Sequence, residues 1–434
     1  MKIALLTNTY RPHVGGVAAA VDTLASECRA RGHTVRVLAP EFPGGEHEAD
    51  PEVLRVPAIQ RFNGSDFSLP VPLPRRVSGK LARLEPDVVH SHHPFLLGDA
   101  ALRWAYAHDL PLVFTHHTLY EHYTHYVPLD SPAFRHFVIR LATAYANCCD
   151  QVIAPSHSVA GLLRERGVET PIEVVPTGVD TAAFADADGA AFRARRGLPA
   201  QATVLGHVGR LAPEKNLDYL ARAVTHWLAG ASQRRFLVVG DGAQSPAMRR
   251  CFESGGVAGQ VLMTGKLTGA NLRDAYAAMD AFAFASQSET QGMVVAEAMA
   301  AGLPVFALDG PGVRDVVEDR HNGRLLPATT SPSAFGATLA RQMDPTTLAH
   351  WAEGARATAA AHDRRQCADQ VMGLYRRLEG WRRGEDADWG WWDRLRGRVG
   401  AEWELLATKA ESASKGLRRH SRSGDDNPRD PDDD

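Results

Sequence analysis

The chain has 434 residues, 44% of them hydrophobic and 23% charged, with a formal net charge of −3. That is length enough for two full domains and an appendage of soluble type, and the near-neutral balance supplies no basic field for nucleic acid. No uninterrupted apolar run reaches transmembrane length, and five cysteines without metal-ligand spacing read as reduced thiols. The opening "MKIALLTNTY" runs directly into a strand-like stretch without a cleavage pattern, which points to a cytoplasmic protein.

Short β-rich runs alternate with helical spacing from there on. The first series is "KIALLT" (2–7), "TVRVLAP" (34–40), "PDVVHSH" (86–92), "PLVFTHH" (111–117) and "DQVIAPS" (150–156). Within it, "LPRRVSGKLARLEP" puts Leu73, Val77, Leu81 and Leu84 on one side of a helix, ringed by Arg75, Arg76, Lys80 and Arg83. Such a helix either packs on a sheet or lies on an anionic membrane. The adjacent Cys148 and Cys149 read as helix packing. After the Ala/Asp-rich "DTAAFADADGAAFRARRG" the alternation restarts with "TVLGHVGR" (203–210), "RFLVVGDG" (235–242), "VLMTGKL" (261–267), "AFAFAS" (281–286) and "LPVFALDG" (303–310). Strand–helix alternation of this kind predicts parallel sheets with crossover helices, here two doubly wound α/β domains.

The expected division is 1–185 for the first domain and 186–383 for the second, with terminal crossover helices. A Trp- and Arg-rich amphipathic extension follows over 384–415, then a disordered acidic tail over 416–434. In the extension Trp392, Leu395, Val399, Trp403 and Leu406 form one stripe beside Arg394, Arg396 and Arg398. That is a membrane-anchor pattern, or equally a face that docks on the first domain or a second subunit.

Open α/β sheets bind ligands beyond the carboxyl ends of their strands. There the sequence puts Gly15 and Gly16, His90 to His93, His116 and His117, Gly209 and Arg210, and Gly240 to Gly242. "HVGRLAPEKNLDYL" sets Arg210 and Lys215 in a turn before a helix, a site for a phosphate-bearing ligand; the alternative is an exposed loop with solvated cations. No GxxxxGK[ST] loop occurs, which excludes the usual nucleotide hydrolase. "SETQGMVVAEAMAAG" (288–302) sets Glu289 in a loop and Glu297 within a small apolar helix, where a carboxylate needs a hydrogen-bonding partner. "DAD" at Asp186–Asp188 looks like a metal motif but reads as a solvated loop, and His90, His92 and His93 lack a carboxylate or cysteine to complete a metal set.

Taken together, "GRLAPEKN", "VVGDG", "SETQGMVVAEAMAAGLPV" and "VVPTGVD" resemble retaining glycosyltransferases of family 4, which have the GT-B fold: two Rossmann-like domains facing across a cleft. The resemblance spans most of residues 1–380. It implies that Glu297 binds the ribose of a nucleotide sugar and that Glu289 meets hydroxyls of the donor sugar. By the same resemblance Arg210 and Lys215 neutralise the departing diphosphate, so that neither metal nor cofactor is required. Gly15, Gly16, Gly209, Gly265, Lys266, Leu267, Gln291, Gly292, Met293 and Val294 complete the implied donor site. The histidine that the family places near the anomeric carbon aligns with His117, with His116 as rival and as the one expected to be a satisfied strand-end histidine. Retention would proceed by same-face attack, with diphosphate oxygen helping to deprotonate the acceptor.

The segment His117, Thr118, Tyr120 and Glu121 is similar to the subgroup that glycosylates diacylglycerol or glycolipids, and His93, Tyr120, Glu121 and Tyr123 are the implied acceptor contacts. The expected activity is hexose transfer, UDP-linked, to a lipid at the inner face of a membrane. A soluble acceptor (a sugar, sugar phosphate or inositol phosphate) is the alternative. A non-catalytic nucleotide-sugar binder or a hydrolysing epimerase of the same fold is the reading of another class.

Overall fold

The computed structural model describes residues 1–13, 15–42, 50–60, 68–71, 74–122 and 131–380. Tyr123, the extension over 384–415 and the acidic tail therefore lie outside the described residues. Strand β1 (Lys2–Leu6) shows how the first sheet is built. Ile3 and Leu5 enter one apolar cluster and Ala4 and Leu6 another, and all four are fully buried. Such a strand is apolar on both sides because helices cover both faces of its sheet.

The remaining strands of this half are β2 (Thr34–Pro40), β3 (Val53–Val56), the two-residue β4 (Ala58–Ile59) and β5 (Leu69–Pro70), β6 (Val88–Ser91), β7 (Leu112–Thr115), β8 (Gln151–Ala154) and β9 (Ile172–Val174). Seven of them form a parallel sheet in the order β3-β2-β1-β6-β7-β8-β9, while β4 and β5 pair separately and antiparallel. The second half holds β10 (Thr203–Val208), β11 (Arg234–Val239), β12 (Val261–Met263), β13 (Ala281–Phe284), β14 (Val305–Leu308) and β15 (Gly323–Leu326), parallel in the order β12-β11-β10-β13-β14-β15. Here too one strand feeds two cores: Leu237 and Val239 go to one face, Phe236 and Val238 to the other. The expected pair of doubly wound domains is what the chain forms.

All ten strand-like runs are strands. Those missed include β3, β9 and β15, each at the edge of its sheet and only three or four residues long. The helix Pro74–Leu84 turns its apolar side inward: Val77, Leu81 and Leu84 are buried in a core of the first domain, whereas Arg83 is exposed. Those three positions of the stripe are therefore unavailable to a bilayer, while Leu73 lies outside the described residues. The suspected metal motif is a helix cap, in which the Asp188 carboxylate accepts the Ala191 N–H at 2.8 Å at the start of Gly189–Arg196.

The last helix among the described residues, Arg364–Arg377, leaves the second domain and covers the first sheet. Its Cys367, Val371, Met372, Leu374 and Tyr375 join Ile3, Leu5, Val35 and Val37 in one core. The two chain crossings run side by side: Val179 N–H donates to His362 C=O at 2.9 Å, and Arg364 N–H donates to Val179 C=O at 3.0 Å. A Cβ on Gly178 would stand 2.1 Å from Arg364 Cα, so only glycine allows this approach. Arg364 also pairs with Glu27 and Asp180, both at 2.9 Å.

Candidate active site

The carboxyl ends of the two sheets meet through the segment after β13. Thr290 Oγ1 donates to His117 C=O at 2.8 Å, and Ser156 Oγ donates to Thr290 C=O at 2.7 Å. Gln291 clasps the backbone of Thr177 twice, accepting its N–H at 2.7 Å and donating to its C=O at 2.6 Å. Its amide thus joins the domains rather than standing ready for a donor sugar, as the sequence had suggested. Gly312, at φ +74°, packs so tightly under this segment that a Cβ would lie 2.6 Å from Gln291 N.

Arg210 and Lys215 follow β10. The turn Pro213–Lys215 precedes Asn216 in left-handed conformation, and Asn216 Nδ2 donates to Ala285 C=O at 3.1 Å, tying the turn to the end of β13. That tie brings Lys215 Nζ to 2.5 Å from Glu289 Oε1, with both side chains largely buried. Burial alone would raise the Glu289 carboxyl; the Lys215 ammonium outweighs it and holds the group below its ordinary value. Arg210 pairs with Glu214 at 2.5 Å and keeps nearly half its side-chain surface exposed (46%). Gly209 and Gly240 let the two neighbouring loops touch: a Cβ on Gly240 would meet Gly209 O at 1.9 Å. Gly240 N–H also donates to Gly265 C=O at 2.9 Å, which aligns the loop carrying exposed Lys266 and half-buried Leu267.

The helix Met293–Ala300 starts after Gly292, at φ +74°. Val295, Ala296, Ala298 and Met299 are buried, so this short helix is held by packing on nearly every side. The N–H groups of Met293 and Val294, in its first turn, fall outside its own ladder. Gly16, which opens the helix Gly16–Ala30 of the first domain, faces the same point, since a Cβ there would lie 3.9 Å from Met293 Sδ. Glu297, one turn further along, is half-buried and accepts from Tyr276 OH at 2.8 Å through Oε2. Burial pushes its carboxyl above the ordinary range and the Tyr276 bond partly offsets this. No other described residue bonds the Glu297 carboxylate, so Oε1 has no protein partner among the described residues. Tyr276 itself escaped sequence reasoning, because its meeting with Glu297 is made by packing of two helices, not by spacing.

On the opposite wall, β6 and β7 are each followed by a pair of histidines, His92–His93 and His116–His117. His117 Nε2 lies 2.9 Å from His92 Nδ1, and burial lowers His117 to about 4. His90 shares its nitrogens with Tyr375 OH at 2.6 Å and Thr115 Oγ1 at 2.7 Å. His116 reverses the expectation made for it: it is buried, yet neither ring nitrogen finds a partner among the described residues. His93 accepts the Asn8 N–H at 3.1 Å, Tyr120 packs edge-on against Phe95, and Glu121 pairs with Arg166 at 2.5 Å. Of the four implied acceptor residues, His93 and Glu121 thus have polar protein partners and Tyr120 a ring contact. Among the described residues no cluster of three metal-ligating side chains occurs.

Residues 14–183 match the model of Glycosyltransferase Family 4, and residues 202–344 that of Glycosyl transferases group 1. The chain is 32% identical to a GDP-mannose-dependent alpha-mannosyltransferase of Mycobacterium tuberculosis over 75% of its own length and 84% of the relative's. It is 28% identical to alpha-monoglucosyldiacylglycerol synthase of Acholeplasma laidlawii over 74% and 84%. Its fold superposes on sucrose-phosphate synthase from Thermosynechococcus elongatus with a TM-score of 0.72 at 22% identity, covering 87% of this chain and 98% of the other. With its paired sheets, its cleft and these matches, the chain belongs to glycosyltransferase family 4 and is a glycosyltransferase of GT-B fold.

Proposed function

We propose that the enzyme transfers a hexose, with retention and without a metal ion, from a nucleoside diphosphate sugar to a lipid hydroxyl at a membrane surface. The observation that carries the donor half is the succession, within residues 289–297 of one loop and helix, of Glu289 paired with Lys215, the helix start at Gly292–Met293 and the half-satisfied carboxylate of Glu297. Glu297 Oε1 accepts from a ribose diol, since charge-assisted bonds are the strong ones. Lys215 and Arg210, with the first-turn N–H groups of Met293 and Val294, take up the diphosphate. Glu289 accepts from hydroxyls of the sugar.

The bond between the anomeric carbon and the diphosphate oxygen breaks with its electron pair passing to the diphosphate. The acceptor oxygen bonds the same face of the sugar, and its proton moves to a diphosphate oxygen. Cations at the leaving group contribute about 3 kcal/mol each to such a step. His117, neutral at pH 7, sits at the anomeric side of the cleft.

The lipid acceptor is supported by the diacylglycerol-acting relative and by the His117–Thr118–Tyr120–Glu121 segment. Among the described residues no helix is long and apolar enough to cross a membrane, so the reading requires attachment from the surface. UDP-glucose and GDP-mannose are the donors to compare, because one relative is named for GDP-mannose and another for a glucosylated product. The test is incubation of the full chain with each labelled donor and membrane lipid extract, with anomeric analysis of the product. An α-linked glycolipid supports the proposal; turnover only onto a soluble sugar or inositol phosphate would replace the lipid by a soluble acceptor. Sedimentation with anionic vesicles, for the full chain and one ending at residue 383, tests the attachment, and failure of both to bind at low salt would remove it.

A further inference from the structure

The histidines at the ends of β6 and β7 are more than packing. His92 is 1% exposed and its Nδ1 lies 2.9 Å from His117 Nε2, the rings being 5.2 Å apart and tilted by 26°. The His90 ring lies 4.2 Å from that of His92, tilted by 32°, with both its own nitrogens already engaged by Tyr375 and Thr115. The backbone of His117 is fixed as well, through the bond from Thr290 of the second domain.

A bond between two neutral imidazoles has one donor, and the two possible directions differ in what they leave behind. If His117 Nε2 donated, His92 would carry its own proton on Nε2, a buried atom with no described protein acceptor. Buried N–H groups without an acceptor are rarer than bare acceptors, because each forfeits a full hydrogen bond to water. If instead His92 Nδ1 donates, His92 Nε2 is only a buried lone pair. The proton of His117 then sits on Nδ1, which no described residue bonds.

We propose that His92 is a positioning residue that sets the tautomer of His117, so that His117 meets the substrate as an Nδ1–H donor and not as a base. Deprotonation of the acceptor then falls to the leaving diphosphate. The inference rests on the role of His117 proposed above, but its test does not depend on turnover.

In full-length protein labelled with 15N-histidine, ligand-free at pH 7.5, the His117 signals are identified by their loss in His117→Gln. The pattern expected is a protonated Nδ1 and an unprotonated Nε2. A protonated Nε2 would overturn the proposal whatever the enzyme's acceptor proves to be.

Substitution at His92 gives an independent readout. In His92→Asn an amide N–H takes the place of Nδ1–H, and the Nδ1–H pattern should persist with kcat within about threefold of wild type, since one neutral hydrogen bond is exchanged for another. In His92→Asp the carboxylate can only accept; the pattern should invert, and kcat should fall by about 10²-fold, the loss typical of one missing transition-state donor. Equal activity of the Asn and Asp variants, each with unchanged thermal melting, would contradict the assignment.

Discussion

The two walls of the cleft keep polar groups away from water in opposite ways. On the donor wall, charges meet charges or short hydroxyl bonds: Lys215 with Glu289, Arg210 with Glu214, Tyr276 with Glu297. On the acceptor wall, buried histidines are held neutral, with His90, His93 and His116 each lowered to about 3 by burial. On the function proposed above, the difference follows from what each wall must handle. A diphosphate arrives charged and departs more so, and cations held by nearby carboxylates can answer it without paying for a bare buried ion. An acceptor hydroxyl is neutral, and an uncharged imidazole can orient it without attracting phosphate to the wrong side.

Removing a donor-wall cation should have the largest effect. Lys215→Ala is expected to lower kcat/KM by about 10³-fold, measured by donor turnover. It also strands Glu289, so Lys215→Ala with Glu289→Gln should melt higher than Lys215→Ala alone. Next comes the ribose contact: Glu297→Gln should weaken nucleotide affinity about tenfold or more, the loss of one charge-assisted bond, read by titration calorimetry.

Tyr276→Phe is a milder version with a pH signature. Without the Tyr276 bond the Glu297 carboxyl rises further, so affinity is lost at a higher pH as the solution is acidified, and approaches wild type when alkaline. An equal loss at every pH would mean that Tyr276 serves only packing.

The acceptor wall predicts acid lability instead. Unfolded histidines take up protons below pH 6.5, whereas His90, His93 and His116, lowered by burial to about 3, do not while folded. Stability is therefore present above pH 6.5 and drains as pH falls, at about 2 kcal/mol per buried histidine by pH 5. Denaturant melts between pH 5 and 7.5 check this. The smallest effect is expected at Gln291→Ala, which removes two neutral bonds to Thr177 and should raise donor KM severalfold.

The donor wall was far more legible in the sequence than the acceptor wall. Arg210, Lys215, Glu289, Gly292 and Glu297 lie in two short segments, each a loop leading into a helix, and the roles proposed for them come from the resemblance of those segments to family 4. Tyr276, Gln291's grip on Thr177 and the His92–His117 pair depend on which strands and helices become neighbours, which no single segment encodes. The core strands were legible because runs such as "FLVV" are buried on both faces. Edge strands such as Ile172–Val174, with Glu173 in the middle, were not. Helix Pro74–Leu84 shows the limit of amphipathic patterning: the same stripe suits a membrane or a sheet, and only tertiary structure decides.

The account depends most on a metal-free grip on the nucleotide by Lys215 and Glu297. Calorimetric titration of UDP and GDP into the full chain in the presence of EDTA tests it directly, with Lys215→Ala and Glu297→Gln alongside. At least one nucleotide should bind wild type without metal, and each substitution should weaken it about tenfold or more. Binding that requires added Mg²⁺ or Mn²⁺, or that is indifferent to both substitutions, would contradict it.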